Sequence, residues 1–203
     1  MMGIRRRMLA RRRWVLVQYI CPNEHPNTLK EVVLIERATE KDYKLIADIG
    51  NISVEEAHRE SSPAEDLAHY MKTNYSYEAI KEELRNPDNI YHIVYSDGSP
   101  AGFSKVVLNA EHPNIKEKNV TKLDRIYLLK EFFGLKLGAE LLKCNIELAK
   151  RNGEAGIWLF TWVGNETAVQ FYLKAGFQII GTHKFKVSET HYNNNHQMYL
   201  ALG

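Results

Sequence analysis

The chain has 203 residues, of which 44% are hydrophobic and 26% are charged. A chain of this size can bury a core without disulfide bonds or a structural metal, and Cys21 and Cys144 show no pairing pattern. The formal charge of +2 hides an asymmetry: six arginines fall within the first 13 residues, and the rest carries 21 basic against 25 acidic residues. This balance argues against nucleic-acid binding, and no 18-residue apolar stretch predicts a membrane span.

The N-terminal segment differs in composition from the rest of the chain. Its arginine-rich start is followed by "WVLVQYI", which imitates a signal peptide but is short and contains Gln18 and Tyr19. We expect residues 1–30 to be a flexible basic extension and residues 31–203 to form one domain. The expected location is the cytosol, since the cysteines are few and unpatterned.

Two stretches in the first part of the domain predict the start of a helix. "VVLIER" is a β-branched run typical of a strand, and Thr39 with Asp42 three residues later predicts the start of a helix. Ser62 as N-cap, Pro63 in the first helical position and Glu65 completing a capping box predict a second helix.

The middle of the chain alternates between helix and strand patterns. A third helix is predicted from about Tyr77 to Leu84. "NIYHIVYSDGSPAGFSKVVLN" predicts two strands joined by a turn at Asp97-Gly98, a pair favoured in hairpins. A strand from about Lys122 to Leu129 and a helix from about Gly134 to Arg151 follow; the helix repeats apolar residues along one face.

The last part of the chain completes the sheet. "GIWLFTWV" predicts a strand buried on both sides, with Trp158 and Trp162 in the core. Asn165 opens a helix that Gly176 ends, and final strands are predicted near 177–186 and 196–202. The predicted fold is therefore α/β, a mixed, mostly antiparallel sheet with helices on both faces.

The stretch "YLLKEFFGLKLGAELL" joins a strand to a helix through a glycine-containing loop. Such a loop leaves backbone N–H groups unpaired at the positive end of the helix dipole, where a phosphate binds well. Gly134 and Gly138 would let a ligand approach the backbone, and Lys136 would add charge. Alternatively, the glycines only let helix and strand pack closely. The two familiar phosphate-loop patterns, G-x-x-x-x-G-K-[ST] and G-x-G-x-x-G, are absent.

A second stretch gives the loop a context. "GNETAVQFYLKAGF", residues 164–177, matches the pattern N-x-x-A-x-x-F-Y-x-x-x-G-F and resembles the GCN5-related N-acetyltransferase superfamily. The segments "SPAEDLAHYM", "ELRNPDNIYHIVYSDGSPAGFSKV", "RIYLLKEF" and "GFQIIGTHKF" look like the branch that contains bacterial polyamine acetyltransferases. The resemblance covers about Val32 to Leu202.

The resemblance implies a binding site for acetyl-CoA between two splayed strands. The backbone of Leu128 would pair with the pantetheine, and Asn165 would hold the pantetheine arm. The pyrophosphate would lie on the amides of the loop, which are those of Phe133, Gly134, Leu135, Lys136, Leu137, Gly138 and Ala139. The chain departs from the family's Q/R-x-x-G-x-G/A loop at Phe133 and at Lys136, which replaces the first glycine.

Catalysis of acetyl transfer to an amine needs a base for the amine and an acid for the leaving thiolate. The resemblance places Tyr172 beside the sulfur as the acid, because a phenol with a pKa near 10 stays protonated at neutral pH. Asp124 is the candidate base, since strand alternation gives it the same side-chain parity as Leu128. The alternative is that Asp124 only pairs with Arg125 or Lys122.

The expected acceptor is a small molecule with a primary amine, and a polyamine is the narrower expectation. Acidic residues on the first two helices could attract a polycation or form an ordinary solvated face: Glu55, Glu56, Glu60, Glu65 and Asp66. His191 and His196 bracket "YNNN", but the spacing is poor for a metal, and we expect a hairpin loop there.

Two other functions remain open at this stage. One is acetylation of a protein or peptide amine, and the other is a non-catalytic acyl-CoA sensor, which the altered Phe133 and Lys136 keep open. We expect no metal, no membrane and no nucleic-acid partner. A homodimer is common among relatives of this kind.

Overall fold

The structure is a computed structural model that describes residues 15–17 and 32–203. Its strands are β1 (Val15–Val17), β2 (Val33–Arg37), β3 (Asn89–Ser96), β4 (Ser99–Val107), β5 (Val120–Leu128), β6 (Gly156–Trp162), β7 (Gln178–Lys186) and β8 (Tyr192–Ala201). Its helices are α1 (Tyr43–His58), α2 (Ala64–Asn74), α3 (Tyr77–Arg85), α4 (Leu137–Arg151) and α5 (Glu166–Lys174).

The strands form one sheet in the order β1-β2-β3-β4-β5-β6-β8-β7. Within the described residues, β5 and β6 are the one parallel pair, and the other neighbours run antiparallel. Asp97 and Gly98 join β3 to β4 with positive φ angles of 47° and 80°, as a two-residue hairpin turn requires. The mixed, mostly antiparallel sheet is confirmed.

Helices cover both faces of the sheet. On one face, α1, α2 and α3 bury a cluster that includes Ile46, Ile80 and Phe103, each with no exposed surface. On the other face, α4 and α5 pack on a cluster built around Ile157 and Met198. The apolar stripe of α4 and the continuous apolar β6 thus lie where their patterns predict. Trp158 is buried as predicted, whereas Trp162 lines an open cleft.

The two parallel strands separate after a short contact. β5 pairs with β6 only from Val120 opposite Gly156 to Lys122 opposite Trp158. Beyond that point β5 stays with β4 and β6 stays with β8. The splay that the resemblance implies is therefore present, and it opens a cleft in the middle of the sheet.

A β-bulge in β5 overturns the parity prediction for Asp124. Lys105 of β4 pairs with Arg125 and the next residue, Val106, pairs with Leu123, so Asp124 is an extra residue in the ladder. The bulge places Leu123 and Leu128 on the α4 face, while Asp124 joins Lys105 on the α1–α3 face. Simple alternation fails because one residue is inserted.

Three predicted boundaries differ from the structure. α4 begins at Leu137, not near Gly134, because a 3-10 turn over Lys130–Phe132 and a loop come first. Pro63, not Ser62, is the N-cap of α2. β8 begins at Tyr192, so "YNNN" lies in a strand and not in a hairpin loop.

Other local predictions hold. Asn165 caps α5 by accepting from the N–H of Ala168 at 3.0 Å, and Gly176 ends this helix with φ of 93°. Thr39 and Asp42 form the predicted capping box. Apart from Val15–Val17, which pairs with β2, the predicted basic extension lies outside the described residues. None of the helices described is long and apolar enough to cross a bilayer.

Candidate active site

The separated strands enclose a cleft with a volume of about 1560 Å³. Its walls come from both sides of the sheet: β5 and β6, the ends of α1 and α2, the start of α4, the helix α5 and the β7–β8 hairpin. Six of the predicted site residues contribute to its lining: five are Leu128, Phe133, Gly138, Asn165 and Tyr172. Asp124 also lines it. The fold thus gathers residues from distant parts of the chain around one opening.

The loop before α4 presents free backbone amides. Among the described residues, the N–H groups from Gly134 to Gly138 have no hydrogen-bond acceptor. The flanking amides are already used, since Phe133 donates to Lys130 O at 3.1 Å and Ala139 donates to Lys136 O at 3.0 Å. Five consecutive donors at the positive end of a helix can bind an anion such as a pyrophosphate.

Two residues in this loop have left-handed backbone conformations. Gly134 has φ of 87° and Lys136, the N-cap of α4, has φ of 59°. Such a conformation costs a non-glycine residue about 1–2 kcal/mol. The Lys136 side chain is exposed, so its charge is available beside the amides.

Gly138 is not required by packing inside the protein. A Cβ added there would meet only Leu128 at 3.7 Å and Phe171 at 4.0 Å, which are ordinary van der Waals distances. The explanation that this glycine lets helix and strand pack closely therefore fails for Gly138. What remains is access to the backbone from the cleft, which Gly138 lines.

Leu128 and Asn165 both line the opening. Leu129 donates its N–H to Ala101 O at 2.9 Å, on the β4 side. Because backbone groups alternate in direction along a strand, the N–H and C=O of Leu128 point towards the open edge. The Oδ1 atom of Asn165 is occupied by its capping bond, which leaves its Nδ2 group to face the cleft.

Tyr172 lies on the cleft side of α5. It is 6% exposed, and its ring packs against Phe171 and Phe177. In the part of the chain that the structure describes, its hydroxyl has no hydrogen-bond partner, and it lines the cleft. Burial, with a smaller effect from Tyr127, raises the pKa of the Tyr172 phenol. The residue therefore holds its proton at neutral pH.

Asp124 is held by cations. It contacts Lys122 at 2.6 Å, Lys105 at 3.1 Å and Arg125 at 3.7 Å. Burial acts to raise the pKa of Asp124, but these three cations outweigh it and hold that pKa well below its usual range. A carboxylate with so low a pKa is a weak base. The alternative, that Asp124 only pairs with Arg125 or Lys122, therefore agrees with its contacts, although the carboxylate is mostly buried and not solvated.

The same cations reach a second carboxylate. Glu83 of α3 contacts Lys105 and Arg125, each at 2.8 Å, and accepts a short hydrogen bond from Tyr91. Burial acts to raise the pKa of Glu83, while Arg125 and Lys105 lower it overall. The network ties α3 to β4 and β5 at the edge of the cleft and fixes the position of the bulge.

Sequence analysis missed three polar residues of the cleft. His58, at the end of α1, lies with Nε2 3.2 Å from the hydroxyl of Tyr127 on β5, 69 positions later in the chain. Asn195 of β8 is 8% exposed, and its Oδ1 is buried without a hydrogen-bond partner among the described residues. No local pattern signals these residues, since only the fold brings them together.

The predicted acidic cluster divides into two groups. Glu56, Glu60 and Asp66 line the cleft, and no ion pair links them to another described residue. Glu55 is engaged with Arg59 at 2.7 Å, and Glu65 does not line the cleft. These three carboxylates line the cleft without a salt bridge to a described residue, and Glu56 and Glu60 interact electrostatically with Arg59.

The β7–β8 hairpin contacts the turn between α1 and α2, and residues of both segments line the cleft. His191 Nε2 lies 2.9 Å from Ser61 O, and Asn193 Nδ2 donates to the hydroxyls of Ser61 and Ser62 at 3.1 and 3.2 Å. Over residues 15–17 and 32–203, no group of three or more His, Cys, Asp or Glu side chains could hold a metal ion. His191 and "YNNN" thus serve a contact between two segments.

Comparison with known proteins adds to this geometry. Residues 51–177 match the sequence profile of the acetyltransferase (GNAT) family, which is more than half of the chain. The chain belongs to this family. An uncharacterized N-acetyltransferase from Lactobacillus delbrueckii subsp. lactis is 24% identical over 157 residues, which cover 77% of this chain and 91% of that relative.

Solved structures share the fold of this GNAT enzyme. The PaiA N-acetyltransferase from Thermoplasma acidophilum, in complex with coenzyme A, has a TM-score of 0.68 at 20% identity and covers 84% of this chain and 99% of its own. The ribosomal-protein-S18-alanine N-acetyltransferase from Escherichia coli has a TM-score of 0.61 at 15% identity and covers 83% and 93%. Membership of the family confirms the predicted acyltransferase class and acetyl-CoA as the co-substrate.

Proposed function

We propose that this GNAT enzyme acetylates a primary amine of a small cationic molecule, with a polyamine as the preferred class. The observation that carries the proposal is that one cleft is bordered both by the loop with five free amides, through Phe133 and Gly138, and by three carboxylates without a salt bridge. The first set suits a pyrophosphate, and the second suits a molecule with several ammonium groups.

The cofactor half of the proposal rests on Gly134–Gly138. Their amides would bind the pyrophosphate, and Lys136 would add a positive charge from the exposed side of the loop. The open backbone edge at Leu128 and the Nδ2 group of Asn165 would bind amide groups of the pantetheine. These contacts would bring the thioester to Tyr172, which lines the same cleft.

The acceptor half rests on Glu56, Glu60 and Asp66 together with aromatic side chains of the cleft. Tyr70, Phe160 and Phe185 line the same cleft. Aromatic faces attract ammonium groups. The contact between the hairpin and the α1–α2 turn narrows the opening. A cleft that offers carboxylates and aromatic faces to its ligand fits a slender polycation better than the surface of a folded protein.

The reaction needs a neutral amine, a polarised thioester and a protonated leaving group. The amine nitrogen forms a C–N bond at the thioester carbon, and the C–S bond breaks with its electron pair on sulfur. Tyr172 would donate its phenolic proton to that sulfur, since its raised pKa keeps the proton available at neutral pH. Backbone N–H groups at the open edge of β5 would stabilise the oxyanion.

The test is acetyl-CoA turnover with a panel of acceptors, followed by release of free thiol. The panel contains spermidine, putrescine, a lysine-containing peptide and a peptide with N-terminal alanine. We expect the highest kcat/KM with a polyamine. A preference for either peptide would instead establish a protein or peptide acceptor, and coenzyme A binding without thiol release for any amine would establish a sensor.

A charge variant sharpens this test. The combined change Glu56→Gln, Glu60→Gln and Asp66→Asn should raise the KM for spermidine about tenfold, because each ammonium loses a nearby carboxylate. The KM for acetyl-CoA should stay the same. Glu65→Gln is the matched control, since Glu65 lies on the same helix as Asp66 but does not line the cleft. An equal effect of the control would remove these acids from acceptor binding.

A further inference from the structure

A chain of hydrogen bonds runs from the β7–β8 hairpin to the cleft. It passes through His191, Asn193, Ser61, His58 and Tyr127, which come from three separate parts of the sequence. Its last two members, His58 and Tyr127, line the cleft together with Tyr172. The proposed function gives no catalytic role to His58 or Tyr127, and it leaves the base for the acceptor amine unassigned.

Donor and acceptor rules fix the direction of this chain at Ser61. The hydroxyl of Ser61 donates to the His58 carbonyl at 2.9 Å, so its oxygen can only accept from other groups. It accepts from Asn193 Nδ2 at 3.1 Å. Two groups lie at 3.4 Å from its second acceptor position, the hydroxyl of Ser62 and Nδ1 of His58. A hydrogen on Nδ1 of His58 is the arrangement in which this nitrogen donates to Ser61.

The orientation of Asn193 is fixed in the same way. His191 Nε2 lies 2.9 Å from Ser61 O and 3.0 Å from Asn193 Oδ1, and both of these atoms are acceptors. His191 Nε2 therefore donates, which identifies the Asn193 oxygen and leaves its Nδ2 for Ser61. The hairpin thus orients the Ser61 hydroxyl that lies beside Nδ1 of His58, and it favours the tautomer with hydrogen on Nδ1.

A His58 ring with hydrogen on Nδ1 has a lone pair on Nε2. That atom lies 3.2 Å from the Tyr127 hydroxyl, which must then donate to it. The oxygen of Tyr127 also accepts a hydrogen bond from Tyr75, which leaves one lone pair for a group in the cleft. This is the arrangement of a base that acts through a hydroxyl.

We propose that Tyr127 and His58 form the proton relay that deprotonates the acceptor amine, a step that rests on the proposed acetyl transfer. Tyr127 is the catalytic residue that touches the amine, His58 is the base behind it, and Ser61 and Asn193 are positioning residues. As the ammonium gives a proton to the Tyr127 oxygen, Tyr127 passes its own proton to Nε2 of His58.

The protons balance over one turnover. The first proton of the ammonium leaves through Tyr127 and His58 to solvent, which gives the neutral amine. After the C–N bond forms, the second N–H proton takes the same path to His58. Tyr172 protonates the thiolate and recovers a proton from His58, so both residues end in their starting states.

The surroundings of His58 favour its neutral form. Burial lowers the pKa of His58 below its ordinary value. Charges that line the cleft come from every neighbouring element and are balanced in number: Glu56, Arg59, Glu60 and Asp66 from α1 and α2, Lys122, Asp124 and Arg125 from β5, Lys130 from the loop, and Lys186 and Glu189 from the hairpin. His69, Tyr70, Tyr75 and Tyr172 are the other titratable groups that face it.

The first experiment needs no acceptor. Long-range ¹H–¹⁵N NMR spectra of the full chain with labelled histidine, assigned by His58→Gln, report both tautomer and titration midpoint. We expect the Nδ1–H tautomer at pH 7.5 and a midpoint below about 6.5, the ordinary histidine value. An Nε2–H tautomer, or a midpoint above that value, would overturn the relay.

The second experiment measures kcat/KM against pH with the best amine of the panel. Wild-type activity should fall on the acid side as His58 takes a proton, and His58→Gln should lose that limb together with about 10²-fold in rate. Tyr127→Phe should lose a similar factor. Neither variant should change the KM for acetyl-CoA, and thermal melting checks that both are folded.

His183→Gln and Tyr77→Phe are the matched controls, since neither residue lines the cleft. A His58→Gln enzyme that keeps both rate and acid limb would overturn the relay and leave the proposed function standing. A wild-type enzyme inactive with every amine would overturn the acceptor assignment, and the NMR result would still decide the relay.

Discussion

At the residue scale, the proposed acid for the leaving group is one hydroxyl, that of Tyr172. Tyr172 packs its ring between Phe171 and Phe177, so its oxygen has one fixed position at the cleft. Burial keeps the phenol protonated, and no described side chain competes for its hydrogen. A proton held in one place and not shared is available to a thiolate that forms beside it.

Replacing Tyr172 by Phe tests this role. The ring packing is preserved, so we expect coenzyme A to bind with unchanged affinity while kcat falls about 10²-fold, the lower end for loss of an acid catalyst. Calorimetry with coenzyme A and thiol-release kinetics give the two readings. An unchanged kcat would remove Tyr172 from the reaction.

Residue roles were only partly accessible from the sequence. Asn165 and Tyr172 lie in one helix with fixed spacing, so a local pattern was enough to locate them. Asp124 was misplaced because a bulge, which depends on pairing with β4, changes the face of the strand. His58 and Tyr127 meet only through the packing of α1 on β5, which no local pattern encodes.

The loop before α4 shows the same limit at the scale of the element. The predicted helix started too early because the glycines and apolar residues of this stretch also suit a first turn. Gly134 and Lys136 instead adopt positive φ angles, which a helix does not allow. As a consequence, the amides from Gly134 to Gly138 have no hydrogen-bond acceptor among the described residues, which is the feature that the proposed pyrophosphate site uses.

Gly138→Ala separates helix stability from ligand access. The new Cβ meets neighbours at ordinary distances, and alanine favours a helix by up to about 1 kcal/mol over glycine. We expect a higher melting temperature together with weaker coenzyme A binding by calorimetry, because the methyl group covers the amides. If the variant binds coenzyme A as tightly as the wild type, the ligand does not approach this backbone.

At the scale of the whole molecule, the sheet and its helices followed from the sequence. Turn residues such as Asp97 and Gly98, caps such as Asn165, and apolar periodicity together fix the order of elements. The separation of β5 from β6 beyond Lys122 could not be predicted from these patterns. It became an expectation only through the resemblance to a family.

Stability at acid pH depends on a buried histidine between sheet and helix. His92 is 8% exposed and contacts Asn145 of α4 at 3.1 Å, and burial lowers the pKa of His92 to about 4. The unfolded chain takes up this proton near pH 6.5, so the unfolded state binds more protons and stability falls as pH drops from about 6.5 towards 4.

His92→Gln tests that contribution, because glutamine does not titrate. The wild type should lose up to about 3 kcal/mol of unfolding free energy from His92 over this range, and the variant should show a flatter slope. Urea unfolding at a series of pH values measures it. His183→Gln serves as the reference, and equal slopes for all three proteins would contradict the assignment.

The gap after Lys122 leaves the sheet held together, at its midline, by three residue pairs between β5 and β6. A bound pantetheine arm, with its amide groups in that gap, would supply hydrogen bonds that β5 and β6 do not make to each other. Binding of acetyl-CoA would then connect the two halves of the domain. The co-substrate would contribute to the stability of the fold for as long as it is bound. Release of coenzyme A would remove these hydrogen bonds and weaken the connection between the two halves of the sheet.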